Sequence, residues 1–359
     1  MHIFNKAQPT CSAVEFPELI NTVDELEEVL SRPYPETIEA LKSLKGDFIV
    51  LGAGGKIGPS LVGTLTRGLR EAGVKATVYA VSRFTRAELG DVAKRLEDYG
   101  AVVVKADLTD PEQVKALPNA ENVIFMVGRK FGTSEDPGAT WVTNVLTSAL
   151  VAGRFKDSRI VVFSTGNVYP LVPVSSGGAT EDTEPGPVGE YAWSALARER
   201  VFQHYMVKYG TRGVIIRLNY ACELRYGVLV DIALKVLRGE PIDLRMGYVN
   251  VIWQGDVNNA AIRSLTLAQN PPLVLNVTGP VISVRQVAEE FGKLLGKEPI
   301  FKYSEEDTAL LSNPGRMYRL LGPPRVSVEL MIRWIAHWLR ANGTVYNLPT
   351  HYEVKDGRF

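Results

Sequence analysis

Apolar positions along this chain come in two rhythms, and each predicts its own kind of element. Short runs rich in Val and Ile, with little polar interruption, recur at 48–51, 77–82, 101–106, 122–127, 160–164 and 214–218. Continuous runs of this kind read as strands buried on both faces, the pattern of a parallel sheet. Between and after them, apolar residues recur at helical spacing over 91–99, 141–152 and 191–209, so the chain predicts a doubly wound α/β fold. Before the first strand, Thr22-Val23-Asp24-Glu25 is a capping box opening a helix through Leu30. Pro35-Glu36 opens a second helix whose apolar face includes Ile38, Leu41 and Leu44. This pair reads as a helical brace packed on the sheet or on a neighbouring subunit. After residue 220 the alternation loosens: 231–238, 283–295 and 327–340 predict amphipathic helices, and 273–277 a strand returning to the sheet.

The stretch Phe48-Ile-Val-Leu-Gly-Ala-Gly-Gly-Lys-Ile-Gly58 joins the first strand to its helix through closely spaced glycines. Gly52 lets the chain turn, Gly55 lets backbone approach a pyrophosphate, and Gly58 lets the helix press on the strand. The helix N-terminus then offers free N–H groups to phosphates. We read Gly52, Gly54, Gly55, Lys56, Ile57 and Gly58 as a dinucleotide cradle rather than an ordinary turn, because a buried strand precedes it and a helix follows. The expected organisation is an N-terminal helical extension over 1–45, a Rossmann-type domain over 46–220, a smaller C-terminal substrate lobe over 221–345 and a tail over 346–359. Ligands belong at the carboxyl ends of the strands. The Gly- and Pro-rich connection over 170–189 is long enough to be a lid or binding loop, and the tail lacks periodicity and is expected to wrap over another surface.

Composition narrows the partners. With 359 residues the chain can bury a large core, and Lys+Arg 40 against Asp+Glu 40 leaves no net charge to attract nucleic acid or an anionic membrane. A small-molecule partner is expected. Cys11 and Cys222 are too few for a disulfide framework, and His2, His204, His337 and His351 show no metal-ligand spacing, so no metal is expected. No signal-peptide core or membrane-spanning run is present, which points to the cytoplasm.

Further pieces follow the cradle in order: Ala106-Asp107-Leu108; Gly128-Arg129-Lys130-Phe131-Gly132; Phe163-Ser164-Thr165-Gly166-Asn167-Val168-Tyr169; Tyr191-Ala192-Trp193-Ser194; Asn276-Val277-Thr278-Gly279; and Leu321-Gly322-Pro323-Pro324-Arg325-Val326-Ser327. With them the chain, from about 47 to 339, resembles the extended short-chain dehydrogenase/reductases, the NAD-dependent epimerase/dehydratase family of sugar-modifying enzymes. The resemblance implies that Asp107 and Leu108 meet the adenine and that Gly128 and Lys130 flank the pyrophosphate or nicotinamide ribose. It further implies Thr165 as the catalytic hydroxyl with Ser164 beside it, Tyr191 as the acid/base, Leu218 against the cofactor, and Asn167, Asn219 and Arg225 toward the substrate. The helix over 191–209 lies where such proteins form homodimers.

At the end of the second strand a carboxylate would accept from a ribose 2′-OH, but here stand Ser82-Arg83, which suit a 2′-phosphate. NADP is therefore favoured over NAD; the alternative is that Arg83 is merely solvated. Two departures from the family pattern matter more. Its Tyr-x-x-x-Lys is here Tyr191 followed by Ala195, so the ammonium that lowers the phenol pKa is missing. Lys130 is the first candidate to replace it, then Arg129 and Lys56; Arg198 is a further candidate or simply faces solvent, and Tyr191 itself reads alternatively as a packed aromatic. The Arg that binds a nucleotide diphosphate in many members is replaced by Val249, with Arg225 and Arg245 as substitutes. The expectation is an NAD(P)-dependent oxidoreductase or epimerase acting by hydride transfer on a sugar, sugar acid or nucleotide sugar, without a choice among epimerase, dehydratase and dehydrogenase. The alternative is a non-catalytic NAD(P)-binding sensor or scaffold.

Overall fold

The computed structural model describes residues 14–85 and 91–357. Cys11 and His2 lie outside them. The centre is a sheet of strands β1 (Phe48–Leu51), β2 (Val78–Ser82), β3 (Val102–Lys105), β4 (Asn122–Phe125), β5 (Arg159–Thr165), β6 (Arg212–Leu218) and β7 (Leu273–Val277). Their spatial order is β7-β6-β5-β4-β1-β2-β3, and every pairing is parallel. The doubly wound sheet expected from the continuous apolar runs is present, and all of β1 and β4 is buried. Register places Phe48 between Val78 and Asn122, so the order reverses at β1 and β4. A crevice opens at their carboxyl ends, and Gly52 and Gly128 stand there.

One sheet face is covered by the helices Pro35–Ser43, Gly58–Ala72 and Gln254–Ser264, whose Leu41, Leu61, Leu65 and Val257 share a core with Phe48, Val50 and Ile124. On the other face Val151, Phe202 and Met206 meet Ile49, Phe125 and Ile160. A separate apolar cluster builds the C-terminal lobe from Val228–Arg238, Val284–Leu295 and Val328–Arg340. The two brace helices divide between these cores. Leu26, Val29 and Leu30 join the lobe around Trp253 and Trp334, whereas Leu41 and Leu44 join the sheet. The brace thus links parts of its own chain.

Three local features refine the pattern-based reading. The helix expected over 141–152 contains a π-turn at Val142–Leu146, which one-residue periodicity cannot reveal. The 170–189 connection carries Val172–Pro173, paired antiparallel with Thr308–Ala309, so the lobe anchors this loop. The tail folds back across the crevice mouth: the Thr350 N–H and hydroxyl donate to Asp231 at 2.8 and 2.6 Å, and Tyr352 is buried.

Candidate active site

Three of the cradle glycines have no room for a side chain. Gly52 has φ +92°, a Cβ on Gly54 would stand 2.6 Å from the Ser82 hydroxyl oxygen, and one on Gly58 would stand 2.1 Å from the Ala53 carbonyl oxygen. At Gly55 nothing comes nearer than 3.4 Å, so its backbone is left open to a ligand. Ser82, Arg83, Asp107, Leu108 and Gly128 line a pocket of about 160 Å³ with Gly52, Gly54 and Gly55. Thr85, Thr109, Thr143 and Thr147 also line it, and none of them was read as a site residue from the sequence. Arg83 stands 3.7 Å from Asp107. Donors from Thr109, helped by Arg83, hold the Asp107 carboxyl below its usual range against a desolvation effect.

Beyond Gly55 the crevice widens into a cavity of about 280 Å³. Gly52, Gly55, Lys56, Ile57, Gly58, Gly128, Lys130, Ser164, Thr165, Asn167, Tyr191, Leu218 and Asn219 all reach it. Thr165 ends β5 and Tyr191 lies in the first turn of the helix Gly189–Tyr209; both side chains reach the cavity, and the Thr165 hydroxyl donates to Asn167 Oδ1 at 3.0 Å. Burial pushes the Tyr191 phenol up, while the Arg198 guanidinium and the Thr165 hydroxyl draw it down. The Asn167 N–H donates to Thr165 Oγ1 at 3.2 Å, fixing the hydroxyl in the wall. Ser164 donates to Glu199 at 2.5 Å, and Glu199 is clamped by Arg217 Nη2 at 2.7 Å. Arg217 Nη1 in turn donates to the Tyr169 hydroxyl, 2.8 Å away. This buried network holds the end of β5. Asn219 Oδ1 accepts from Ser312 at 3.0 Å, whereas its Nδ2 is a buried donor with no partner.

The cations sort differently from the sequence-based ranking. Lys130 reaches the cavity, donates to the Thr350 carbonyl at 3.0 Å and is lowered by burial to about 8, with Asp231 and Glu353 opposing. Lys56 sits 3.2 Å from the centroid of the Tyr226 ring. Arg129 turns away, donating to Gly132 O at 3.0 Å and pairing with Asp136 at 3.8 Å. Arg198 does not face solvent: it is 4% exposed and lines the cavity. Its long side chain points back along the helix into the crevice rather than outward, and it lies within the helix's buried stripe, between Ala195 and Phe202. Ala195 is fully buried in the lobe's apolar cluster. Phe131, Tyr220, Tyr226 and Thr350 also wall the cavity and were missed as site residues. Only Tyr220 bears a signal in its own backbone, φ +38°, and that is conformational rather than sequential.

Residues 48–222 match the NAD dependent epimerase/dehydratase family. This segment is a domain of that family. A 2-alkyl-3-oxoalkanoate reductase of Shewanella oneidensis is 30% identical over 134 residues, covering 36% of this chain and 31% of that protein. Among solved structures, the chain is similar to the UDP-glucose 4-epimerase of Thermotoga maritima with UDP-glucose, at TM-score 0.66 and 19% identity over 82% of this chain and 99% of that one. It is also similar to the UDP-glucuronic acid 4-epimerase of Bacillus cereus with UDP-glucuronic acid and NAD, at TM-score 0.68 and 17% identity over 82% and 99%. These structural likenesses establish the shared fold. The epimerase/dehydratase domain supplies the cradle, Thr165 and Tyr191; Tyr226, Val228, Gln254 and Thr350 enter the cavity from beyond it.

The arginines expected to compensate for Val249 are committed elsewhere. Arg225 stands off this cavity, bound to Glu27 at 2.7 Å and Glu223 at 3.1 Å, with the Tyr346 ring 5.1 Å away. Arg245 pairs with Asp243 at 2.7 Å. Val249 itself is fully buried. Among the described residues no cluster of His, Cys, Asp and Glu is arranged to hold a metal ion, and no helix is long and apolar enough to cross a membrane.

Proposed function

We propose that this protein is an NADP(H)-dependent oxidoreductase or epimerase acting on a small carbohydrate-like alcohol or ketone. The observation that carries the reading is the meeting of Thr165, at the carboxyl end of β5, and Tyr191 in the wall of one cavity that begins at the glycine cradle. The residues fit a pyridine dinucleotide: an open backbone at Gly55, a helix N-terminus behind it, and unpartnered donors on Arg198 and Asn219. When bound, that cofactor supplies the hydride acceptor or donor. Thr165 orients the substrate oxygen, and Tyr191 holds or releases the proton at its phenol oxygen.

Ser82 and Arg83 in the adenosine-side pocket support NADP over NAD. The ion-paired Arg225 and Arg245 support a substrate without a nucleotide diphosphate, so a free sugar, a sugar acid or another small polyol is preferred to a nucleotide sugar. Exposed Trp141, Val142, Leu146, Trp193 and Val207 on the helices flanking β5 support a homodimer.

The test is calorimetry of the purified chain with NADPH and NADH, followed by turnover on a panel of sugars, sugar acids, simple hydroxy- and oxo-acids and UDP-sugars. Tyr191→Phe is expected to abolish turnover with cofactor binding retained. Turnover left intact by Tyr191→Phe would overturn the assignment of the proton carrier. Binding without turnover across the panel would favour the opposing reading, a non-catalytic NAD(P)-binding sensor or scaffold, which rests on Ala195.

A further inference from the structure

We propose that Arg198 is the positioning cation that serves Tyr191 in place of the lysine absent at residue 195. The inference rests on the reading of Tyr191 as proton carrier. Seven residues bring a helix back to the same face after nearly two full turns, about 10 Å along the axis. Long side chains on a helix lean toward its N-terminus, so an arginine at 198 reaches back toward the phenol at 191 over the short Ala195.

The surroundings of Arg198 are built to hold a guanidinium without neutralising it. Nη1 donates to the Phe163 carbonyl at 2.8 Å and Nε to the Asn144 carbonyl at 3.3 Å. Asn144 lies in the π-turn, which places that carbonyl beneath the helix Gly189–Tyr209. The nearby carboxylate Glu199 is engaged by Arg217 instead. Nη2 is left buried without a hydrogen-bond partner, facing Gly128, where a Cβ would stand 3.0 Å from it. A purely structural buried arginine is expected to sit on a carboxylate, as Arg217 does. Arg198 keeps a donor open toward the crevice, and its charge reaches the Tyr191 oxygen.

The titratable groups that share the cavity wall with Tyr191 and Arg198 are Lys130 from the loop after β4, Lys56 from the cradle, and Tyr220 and Tyr226 after β6, beside the neutral hydroxyls and amides of Ser164, Thr165, Asn167, Asn219, Gln254 and Thr350. All stay in place when only residue 198 is changed. The experiment therefore installs a fluorinated tyrosine, more acidic than tyrosine, at position 191 of the full chain and follows its titration by fluorine NMR. Parent, Arg198→Lys, Arg198→Gln and Arg198→Met are compared, with thermal melts to establish that each is folded. The two neutral replacements are expected to raise the midpoint by about one pH unit or more, and Arg198→Lys to leave it near the parent value. A folded neutral variant with an unchanged midpoint would overturn the proposal, as would a lysine variant that moves as far as the neutral ones. The readout requires no turnover, so it stands or falls separately from the choice of substrate.

Discussion

Gly58 presses on Ala53 so closely that a Cβ at residue 58 would stand 2.1 Å from the Ala53 carbonyl oxygen. The obstacle is backbone, which cannot swing aside. Gly58→Ala is therefore expected to cost about 1–3 kcal/mol of stability and to displace the helix N-terminus from its phosphate site. Gly55→Ala, with 3.4 Å of room, is expected to keep the parent unfolding midpoint yet lose dinucleotide affinity, because its Cβ enters the space left for the ligand. Thermal melts and calorimetry with NADPH separate the two effects.

Arg83 lies at the end of β2, more than half exposed, with Asp107 across the adenosine-side pocket. Replacing its guanidinium by a carboxylate removes a phosphate ligand and adds a repulsion. Arg83→Asp is expected to weaken NADPH binding by about tenfold or more and to leave NADH binding equal or tighter. Equal losses for both coenzymes in calorimetric titrations would contradict the assigned 2′-phosphate contact.

Glu199 and Arg217 form an ion pair in which both side chains are almost wholly buried. Removing one partner strands the other charge in the core. Glu199→Gln is expected to destabilise the protein by about 3 kcal/mol or more in urea unfolding, and Glu199→Met combined with Arg217→Met to recover part of that loss. Because Ser164 also donates to Glu199, the single change should loosen the end of β5 as well.

Lys130 offers a pH test. Burial lowers its ammonium from 10.5 to about 8. Between those values the unfolded chain binds more protons than the folded one, so this residue's contribution makes stability rise with pH across that window. The cost of burying the charge is present in full below about pH 8 and fades above it. Lys130→Met is expected to raise the urea midpoint near pH 7, with the gain shrinking by pH 10. A gain of the same size at both pH values would mean that the amine titrates alike in the folded and unfolded chain, so that burial does not lower it.

Local chemistry in the chain determined the sheet and the cradle. Continuous runs such as 48–51 and 122–127 can satisfy their backbone and bury both faces only as inner parallel strands, and closely spaced glycines between strand and helix leave one kind of turn. Those rules act over a few residues, so they are legible without the fold. Thr165 and Tyr191 were legible for a different reason, the order of motifs that resembles a known family. What surrounds them was decided by residues far apart in sequence. Arg198 turns into the crevice because Asn144 and Phe163 offer it carbonyls, and Arg225 is withdrawn because Glu27, nearly two hundred residues earlier, reaches its guanidinium. Thr350 closes over Lys130 because Asp231 holds the returning tail. A charged side chain settles wherever its partners are assembled, and only tertiary packing assembles them.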